Sequence, residues 1–344
     1  MMKEETKKLN QYLNDAFKYL EEHYDPLLWN LIYICRINDR YRDILDKYDL
    51  NNTSIENNLT YADVISIARD IINSINPKYL PDFDNLLNSG QLDFSYENEY
   101  CGSHFYHDRI HNEININRSF NYNDVRVLVH EFFHYTNGKD GTSFNNNLLT
   151  EFFSIYFEIY AIEYLLESGI DKSEIDYKAR LRWNYNTCNA FYEYEIPLLA
   201  YYNFGSIDEK SYGMLTSYFL SDEYKEESFN EECKNLLEYF KGIEEKYKKE
   251  NFTVDYDEEE IGYRYCGLFI DWFKYVLGTL LAFYAKDNCK IDDIIYMNDH
   301  INDENIGFYE CLDKMGINME DNELEDRIFD SIETYLKKCQ IKKR

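Results

Sequence analysis

The chain has 344 residues and carries 65 acidic against 36 basic side chains, for a net charge of −29. This excess of acid disfavours binding to nucleic acid or to an anionic membrane surface, because both partners are themselves negative. With 44% hydrophobic residues, 35 Tyr and 22 Phe, the chain can bury a large aromatic core. The absence of a Pro/Ser-rich linker favours one large domain or two closely packed lobes over several separate modules.

The cysteines and the N-terminus bear on the cellular compartment. Eight cysteines occur without a CxxC pair, at positions 35, 101, 188, 233, 266, 289, 311 and 339. The opening stretch MMKEETKKLNQYLND has no apolar signal core, so we expect a cytoplasmic protein with reduced thiols. The most apolar stretch, residues 265–285, contains Asp271 and Lys274, and it predicts a buried helix instead of a membrane span.

The N-terminal part of the chain predicts helices. Its first apolar stripe, at helical spacing, consists of Leu9, Tyr12, Leu13, Phe17 and Leu20. Pro26 interrupts this pattern and implies two helices. The stretch TYADVISIARDIINSINP then begins with Thr60 and Asp63, which resemble a capping box, and ends before Pro77. We expect an N-terminal helical region over residues 1–89, packed on the part that carries the chemistry.

Residues 90–118 differ from the helical sequence around them. Gly punctuation, alternating residues and β-branched positions predict two or three short strands. From Asn121 onward helix is predicted almost everywhere. The expected fold is therefore mainly α, with one small antiparallel β-sheet beside the helix of residues 121–138, and residues 90–344 form the catalytic region.

The stretch NYNDVRVLVHEFFHYTNG predicts that helix, with Asn121 as a candidate N-cap and Asp124 in the first turn. Residues four apart lie on one helix face, so His130 and His134 can bind one Zn²⁺. Glu131 then points at a water on the metal. The structural alternative is a pair of histidines buried in the core or at an interface.

A second predicted helix, NNNLLTEFFSIYFEIYAIEYLLESG, follows after a short turn and offers Glu151 as the third ligand. The resulting His, His, Glu set leaves one open position for water. Glu158, two turns further along the same face, is a candidate hydrogen-bond acceptor for a ligating histidine, or else an exposed surface carboxylate. Ser154 is either a local hydrogen-bonding residue or a packing residue.

The stretch HNEININ, residues 111–117, precedes the helix of the two histidines. A peptidase must hold its substrate extended, and an exposed strand edge can pair with any peptide backbone. We therefore expect Asn115, Ile116 and Asn117 to contact the substrate, with an ordinary sheet edge as the alternative.

Four stretches together resemble the thimet oligopeptidase-like metallopeptidases, and within them the oligopeptidase F branch. NEININRSFNYNDVRVLVHEFFH resembles the family's strand, turn and HExxH helix, and TEFFSIYFE matches its third-ligand helix at Glu151, Ser154 and Glu158. NAFYEYEI and YECLDKMGINMEDNELEDRIFDSIETYL resemble, more weakly, later helices of that branch. The resemblance spans residues 90–340. It implies a helical zincin of the gluzincin type, a substrate channel between helical lobes, one zinc ion per chain and cleavage of short peptides.

Four features depart from that family, among them a shorter connection from His134 to Glu151 and the lack of much of the family's long N-terminal part. The family stabilises the transition state with a His and Tyr pair, whereas EEEIGYRYCGLF supplies Tyr263 and Tyr265 without a histidine. Either phenol is a candidate donor to the oxyanion. Phe133 stands where the family usually has Gly.

The sequence thus predicts a cytoplasmic zinc metallopeptidase that acts on short peptides, with Glu131 as the general base. Its partners would be peptides, with no nucleic acid and no membrane. Phe133 and the missing histidine leave open a catalytically inactive, zinc-containing protein that binds peptides or another protein. A secreted or injected protease that attacks one host protein is the third interpretation.

Overall fold

The structure is a computed structural model. It describes residues 3–23, 31–50, 55, 59–94, 104–107, 112–116, 119–137, 144–219, 226–250, 265–301, 307–319 and 321–339. The chain divides into two compact units: unit 1 comprises Met1–Leu45 and Tyr185–Trp272, and unit 2 comprises Asp46–Asn184 and Phe273–Arg344. The sequence-based division into residues 1–89 and 90–344 stays a prediction.

The described residues are mainly α-helical, as the sequence predicts. The helices are α1 (Lys3–His23), α2 (Leu31–Asp46), α3 (Tyr61–Ile75), α4 (Leu80–Ser89), α5 (Tyr122–Asn137), α6 (Phe144–Glu167), α7 (Ala179–Tyr192), α8 (Glu195–Phe204), α9 (Glu209–Phe219), α10 (Glu226–Glu250), α11 (Gly267–Asp271), α12 (Gly278–Asn288), α13 (Ile291–Asp299), α14 (Phe308–Lys314) and α15 (Leu324–Lys338). The strands are β1 (Leu92–Asp93), β2 (His104–His107) and β3 (Asn112–Asn115). A π-helical turn, Trp272–Leu277, joins α11 to α12.

In unit 1, the predicted apolar stripe of α1 is confirmed. Leu9, Leu13 and Leu20 are fully buried, and α1 packs against α8 and α10. Tyr12 and Phe17 add ring contacts to these neighbours, because their aromatic faces extend beyond the aliphatic stripe. The spacing of apolar residues in the sequence therefore predicts correctly which face of α1 is buried.

In unit 2, the predicted start and end of α3 are confirmed. The Thr60 side chain accepts the Asp63 backbone N–H at 3.2 Å, and the Asp63 carboxylate accepts the Thr60 N–H at 2.8 Å. This capping box satisfies two backbone donors at the helix start. The helix ends at Ile75, before Pro77. Because α3 packs on α5, its capped start helps to fix the surface on which α5 lies.

A three-stranded sheet in the order β1-β3-β2 precedes α5, and β2 and β3 lie against that helix. The prediction of a wholly antiparallel sheet is wrong: β2 pairs with β3 antiparallel, but β1 pairs with β3 parallel. The chain reverses direction at β2, and β3 then inserts between the two earlier strands. It consequently runs in the direction of β1.

This order also overturns the expectation that β3 offers a free edge to a substrate. The Ile114 and Ile116 N–H groups donate to the carbonyl oxygens of Gln91 and Asp93, both at 2.8 Å, and β2 occupies the other side of β3. Ile116 is fully buried and Asn115 nearly so. Backbone groups that already pair within the sheet are not available to a peptide. Asn117 lies outside the described residues.

The core of unit 2 is built on α6, which packs against α5 on one side and α12 on the other. A methyl group at Gly278 would lie 3.6 Å from Ile155 Cδ1 and 3.7 Å from the Phe152 backbone nitrogen. The start of α12 therefore approaches the α6 backbone beside Glu151. The stretch 265–285 is helical, as predicted, and no helix in the described part of the chain combines the length and apolar character needed to cross a bilayer.

Candidate metal centre

The start of α5 fixes the direction in which its histidines point. The Asn121 side chain accepts the Asn123 N–H at 2.8 Å, as its predicted capping role requires. The Asp124 carboxylate turns back and accepts the N–H groups of Ser119 at 2.9 Å and Phe120 at 2.7 Å. These bonds lock the loop before α5 to its first turn, so the rotation of the helix about its axis is set before the chain reaches His130.

His130 and His134 of α5 meet Glu151 of α6. The two Nε2 atoms of the histidines lie 3.1 Å apart. Glu151 faces both rings, with Oε2 3.1 Å from His134 Nε2 and Oε1 3.5 Å from His130 Nε2. His130 and Glu151 are each 6% exposed. The predicted ligand set therefore comes together as a buried group that could hold a metal ion.

The spacing of these donor atoms fits zinc. Ligand atoms about 2.0–2.1 Å from a tetrahedral zinc ion lie about 3.3 Å from one another. The two Nε2 atoms are 3.1 Å apart, and each lies within 3.5 Å of one Glu151 oxygen, Oε2 for His134 and Oε1 for His130. Glu151 Oε1 is also buried without a hydrogen-bond partner among the described residues. A buried carboxylate oxygen that lacks a donor is costly unless a cation binds it. Two imidazoles and a carboxylate are ligand types that zinc prefers.

The charges of the group keep Glu151 in its ligating form. Burial opposes ionisation of Glu151, but the charge of His130 and the hydrogen bond and charge of His134 lower its pKa to about 2. Burial likewise opposes the charge on His134, yet the hydrogen bond and charge of Glu151 raise its pKa. The ionised carboxylate and the histidines thus attract each other, and a bound cation would take over the same role.

Glu158 of α6 lies behind His130. It is fully buried, so the alternative of an exposed surface carboxylate is wrong. Its Oε2 lies 3.0 Å from His130 Nδ1. From this contact we assign the proton of His130 to Nδ1, because a carboxylate accepts it, which leaves the Nε2 lone pair directed at the metal position.

Two arginines that sequence reasoning did not identify hold Glu158. Arg126 donates through Nη1 to Glu158 Oε1, and Arg180 donates through Nη2 to Oε2. Burial opposes the charge of Glu158, but both guanidinium groups hold the pKa of its carboxyl well below the usual range. Arg126 lies one turn before His130 in α5, and that spacing is a signal available in the sequence. Arg180 comes from α7, and no local pattern connects it to the motif.

Glu131 is the neighbour of His130 on α5 and is 6% exposed. Among the described residues it forms no hydrogen bond or ion pair. Its negative charge adds to the effect of Glu151 in raising the pKa of His134. An unpaired carboxylate beside a metal position is free to accept a proton from water.

Ser154 and Phe133 pack in the core of unit 2. Ser154 is fully buried, and its Oγ has no hydrogen-bond partner in the described part of the chain, which favours packing over a local hydrogen-bonding role. Phe133 stacks on Phe157 of α6 with ring centroids 3.7 Å apart, and its edge contacts Tyr79. The bulky ring of Phe133 is therefore accommodated within the packing of α5 and α6.

The two tyrosines expected to stabilise an oxyanion differ in what the structure says of them. Tyr265 belongs to unit 1, where it is 5% exposed. Its ring contacts include Tyr12 at 5.0 Å and Phe240 at 5.5 Å between centroids. Tyr263 lies outside the described residues. The catalytic role of either phenol stays a prediction.

Comparison of the chain with protein-family models, with curated proteins and with solved structures found no match. Three features of the chain itself therefore indicate a metal centre: the spacing of the motif, the convergence of His130, His134 and Glu151, and the charges around them.

Proposed function

We propose that the protein is a zinc-dependent metallopeptidase that hydrolyses short peptides. The observation that carries this proposal is the convergence of His130, His134 and Glu151 in one buried group, beside Glu131, which has no hydrogen bond or ion pair among the described residues. The order of residues, HExxH followed by a glutamate on the next helix, matches a peptidase of the gluzincin type. The resemblance to the oligopeptidase F branch of the thimet oligopeptidase-like metallopeptidases supports short peptides as the substrates.

The chemistry divides between the metal and the side chains. His130, His134 and Glu151 would hold a zinc ion, which when bound would supply Lewis-acid polarisation of a carbonyl and would lower the pKa of water. Glu131 accepts the proton of the attacking water and delivers it to the leaving amine nitrogen. Glu158 keeps the proton of His130 on Nδ1, so that Nε2 faces the metal throughout.

Several finer parts of the proposal come from the resemblance. They are a zincin fold with a substrate channel between helical lobes, one zinc ion per chain, and a phenol of Tyr263 or Tyr265 that donates to the oxyanion. A cytoplasmic location is a further proposal, which comes from the scattered cysteines and not from the resemblance. The alternative function is a catalytically inactive protein of this type that keeps zinc and binds peptides or a protein, and the missing histidine in residues 258–269 favours it.

The test is elemental analysis of the purified protein together with cleavage of a mixed library of quenched peptides. We expect one zinc per chain, and His134→Ala should lose both the metal and the cleavage. His300→Ala is the matched control, because its ring stacks on Tyr296 and bonds the Tyr296 carbonyl outside the metal group. Zinc without cleavage would support the inactive binding protein. No zinc after reconstitution would overturn the metal centre itself.

A further inference from the structure

Arg180 contacts two members of the metal group, His130 and Glu151, and also the Glu158 carboxylate behind His130. Its Nη2 donates to Glu158 Oε2 and lies 3.3 Å from His130 Nδ1, and its Nε lies 3.4 Å from Glu158 Oε1. Its Nη1 lies 3.7 Å from Glu151 Oε1. The side chain is 13% exposed. A single guanidinium thus spans the carboxylate behind His130 and the carboxylate that completes the ligand set.

Arg126 provides an internal comparison, because it holds the same carboxylate in a different way. It donates through Nη1 to Glu158 Oε1, and its Nε and Nη2 donate to Asn123 at 3.1 and 2.7 Å. Both arginines therefore neutralise Glu158. Among the described residues, Arg126 forms no hydrogen bond or ion pair with His130 or Glu151, whereas Arg180 lies within 3.7 Å of both.

Arg180 Nη1 and Glu151 Oε1 attract each other without forming a hydrogen bond. A distance of 3.7 Å is too long for a hydrogen bond but short enough for a strong charge attraction in a buried site. Arg180 thus attracts the Glu151 carboxylate without donating a hydrogen bond to it. In agreement, Glu151 Oε1 is buried and has no hydrogen-bond partner among the described residues. A metal can then bind this oxygen without first displacing a hydrogen bond.

The planar shape of the guanidinium makes this arrangement possible. When Nε and Nη2 face Glu158, the rigid fork directs Nη1 toward Glu151. An ammonium group is a point charge on a flexible stem and cannot face both carboxylates in fixed directions. Lysine at this position would keep the charge and lose the geometry.

We propose that Arg180 is a positioning residue of the metal centre, which couples the Glu158–His130 pair to the ligand Glu151 and so sets how tightly zinc is held. This inference rests on the proposed function, because it requires that the His130, His134 and Glu151 group binds a metal. It assigns to α7 a part in a centre whose ligands come from α5 and α6.

The test compares Arg180→Lys with Arg126→Lys in the full chain. Metal-free protein is titrated with zinc against a chelator of known affinity, and with Co²⁺ while its visible absorption spectrum is recorded. We expect Arg180→Lys to weaken zinc binding about 10- to 100-fold, as loss of an outer contact to a metal ligand commonly does, and to alter the cobalt spectrum. Arg126→Lys also loses part of the support of Glu158, so it should weaken zinc binding less than Arg180→Lys and leave the cobalt spectrum closer to that of the wild type.

Circular dichroism and the denaturant midpoint of each metal-free variant establish whether it folds. If Arg180→Lys does not fold, Arg180→Gln replaces it, because the amide retains one donor for Glu158 and lacks the fork. Loss of a nearby positive charge by itself favours cation binding, so the cobalt spectrum, which reports ligand geometry, is the diagnostic measurement for Arg180→Gln. We expect that spectrum to change.

The outcomes separate the two proposals. A wild-type protein that binds neither zinc nor cobalt would remove the metal centre and this inference together. Wild-type affinity and spectrum in a folded Arg180→Lys variant would overturn the inference and leave the proposed function standing. Equal weakening by Arg126→Lys and Arg180→Lys would also overturn it, since neutralisation of Glu158 would then account for both.

Discussion

At the scale of single residues, the three acidic side chains of the centre differ in their partners. Glu151 faces two histidines, Glu158 is held by His130 and two arginines, and Glu131 has no hydrogen bond or ion pair among the described residues. A carboxylate that is already saturated by donors is a poor base, whereas an unpaired one can take up a proton. The different partners of Glu151, Glu158 and Glu131 therefore give each carboxylate a different role.

Glu131→Gln tests the role of the unpaired carboxylate. The amide cannot accept the proton of water, so we expect kcat/KM for a quenched peptide to fall by about 10²- to 10⁴-fold while the zinc content stays unchanged. Glu131 contributes no atom to the ligand group, so metal binding is the built-in control. Undiminished turnover in this variant would contradict the general-base role.

Ser154→Ala tests whether the buried hydroxyl has a function. Its Oγ has no described partner, so the native state gains no hydrogen bond that the substitution would remove. We expect the free energy of unfolding to change by less than about 1 kcal/mol and zinc affinity to stay the same. Denaturant unfolding and zinc titration measure the two quantities. A large loss of either would show that Ser154 bonds to a group at the metal centre.

The sequence could predict those site residues whose spacing is set by a single helix. His130, Glu131 and His134 follow from the helical repeat, and Glu151 follows from its place in the next predicted helix. Arg180 could not be found in this way, because its place beside Glu158 results from tertiary packing of α7. Local periodicity contains no information about such a contact.

At the scale of helices and strands, the position of α12 against α6 depends on Gly278. The close approach puts this glycine beside Phe152, the residue that follows Glu151 in α6. A β-carbon at this point would lie at ordinary van der Waals distance from both Phe152 and Ile155. Larger side chains would have to displace one helix from the other, because protein interiors are close-packed.

Gly278→Ala and Gly278→Leu form a matched pair. Alanine fits the available space and favours helix, so we expect it to raise the free energy of unfolding by about 0.5–1 kcal/mol. Leucine overpacks the contact, and we expect a loss of about 1–3 kcal/mol together with weaker zinc binding. Chemical denaturation and zinc titration of both variants give the answer. Leucine that is tolerated as well as alanine would contradict the close approach.

The helices of this chain can be predicted from its sequence, whereas the order of its strands cannot. Helices α1 and α3 are predictable from an apolar repeat within each segment, and α3 and α5 also carry their own N-cap residues. Helix α6 is predictable from its long apolar run. The order of the strands is not, because three short strands with similar patterns can pair in several ways, and the central place of β3 depends on contacts distant in sequence. The π-helical turn at 272–277 likewise has no local signal that we identified.

At the scale of the whole molecule, metal binding and stability are linked. A metal that binds the folded centre and not the unfolded chain stabilises the fold by mass action. We expect zinc at about a hundredfold excess over its Kd to raise the free energy of unfolding by about 2.7 kcal/mol. Thermal unfolding with and without zinc measures this shift. His134→Ala should show no shift, and an equal shift in that variant would place the bound zinc elsewhere.

The pH dependence of stability has a separate source in unit 1. Glu195, at the start of α8, is 8% exposed, and its Oε2 is buried without a described partner. Burial and the charge of Asp39 raise its pKa from 4.5 to about 7, against the lowering effects of a hydrogen bond with Cys35 and the charge of Arg42. The folded protein therefore retains a proton on Glu195 that the unfolded chain loses near pH 4.5.

The difference in proton binding at Glu195 between the folded and unfolded states determines whether stability rises or falls with pH. Between about pH 4.5 and pH 7 the folded state binds more protons at Glu195 than the unfolded state, so its contribution to the free energy of unfolding falls as the pH rises. The loss amounts to about 3 kcal/mol and is complete above pH 7. Glu195→Gln cannot ionise, so we expect it to be more stable than the wild type at pH 8, with the advantage shrinking toward pH 4.5. Denaturant unfolding of both proteins across this pH range measures the difference in their free energies of unfolding. The titration of all other groups affects both proteins equally and cancels in that difference. Parallel pH profiles for the two proteins would show that Glu195 ionises in the folded state as readily as it does in water.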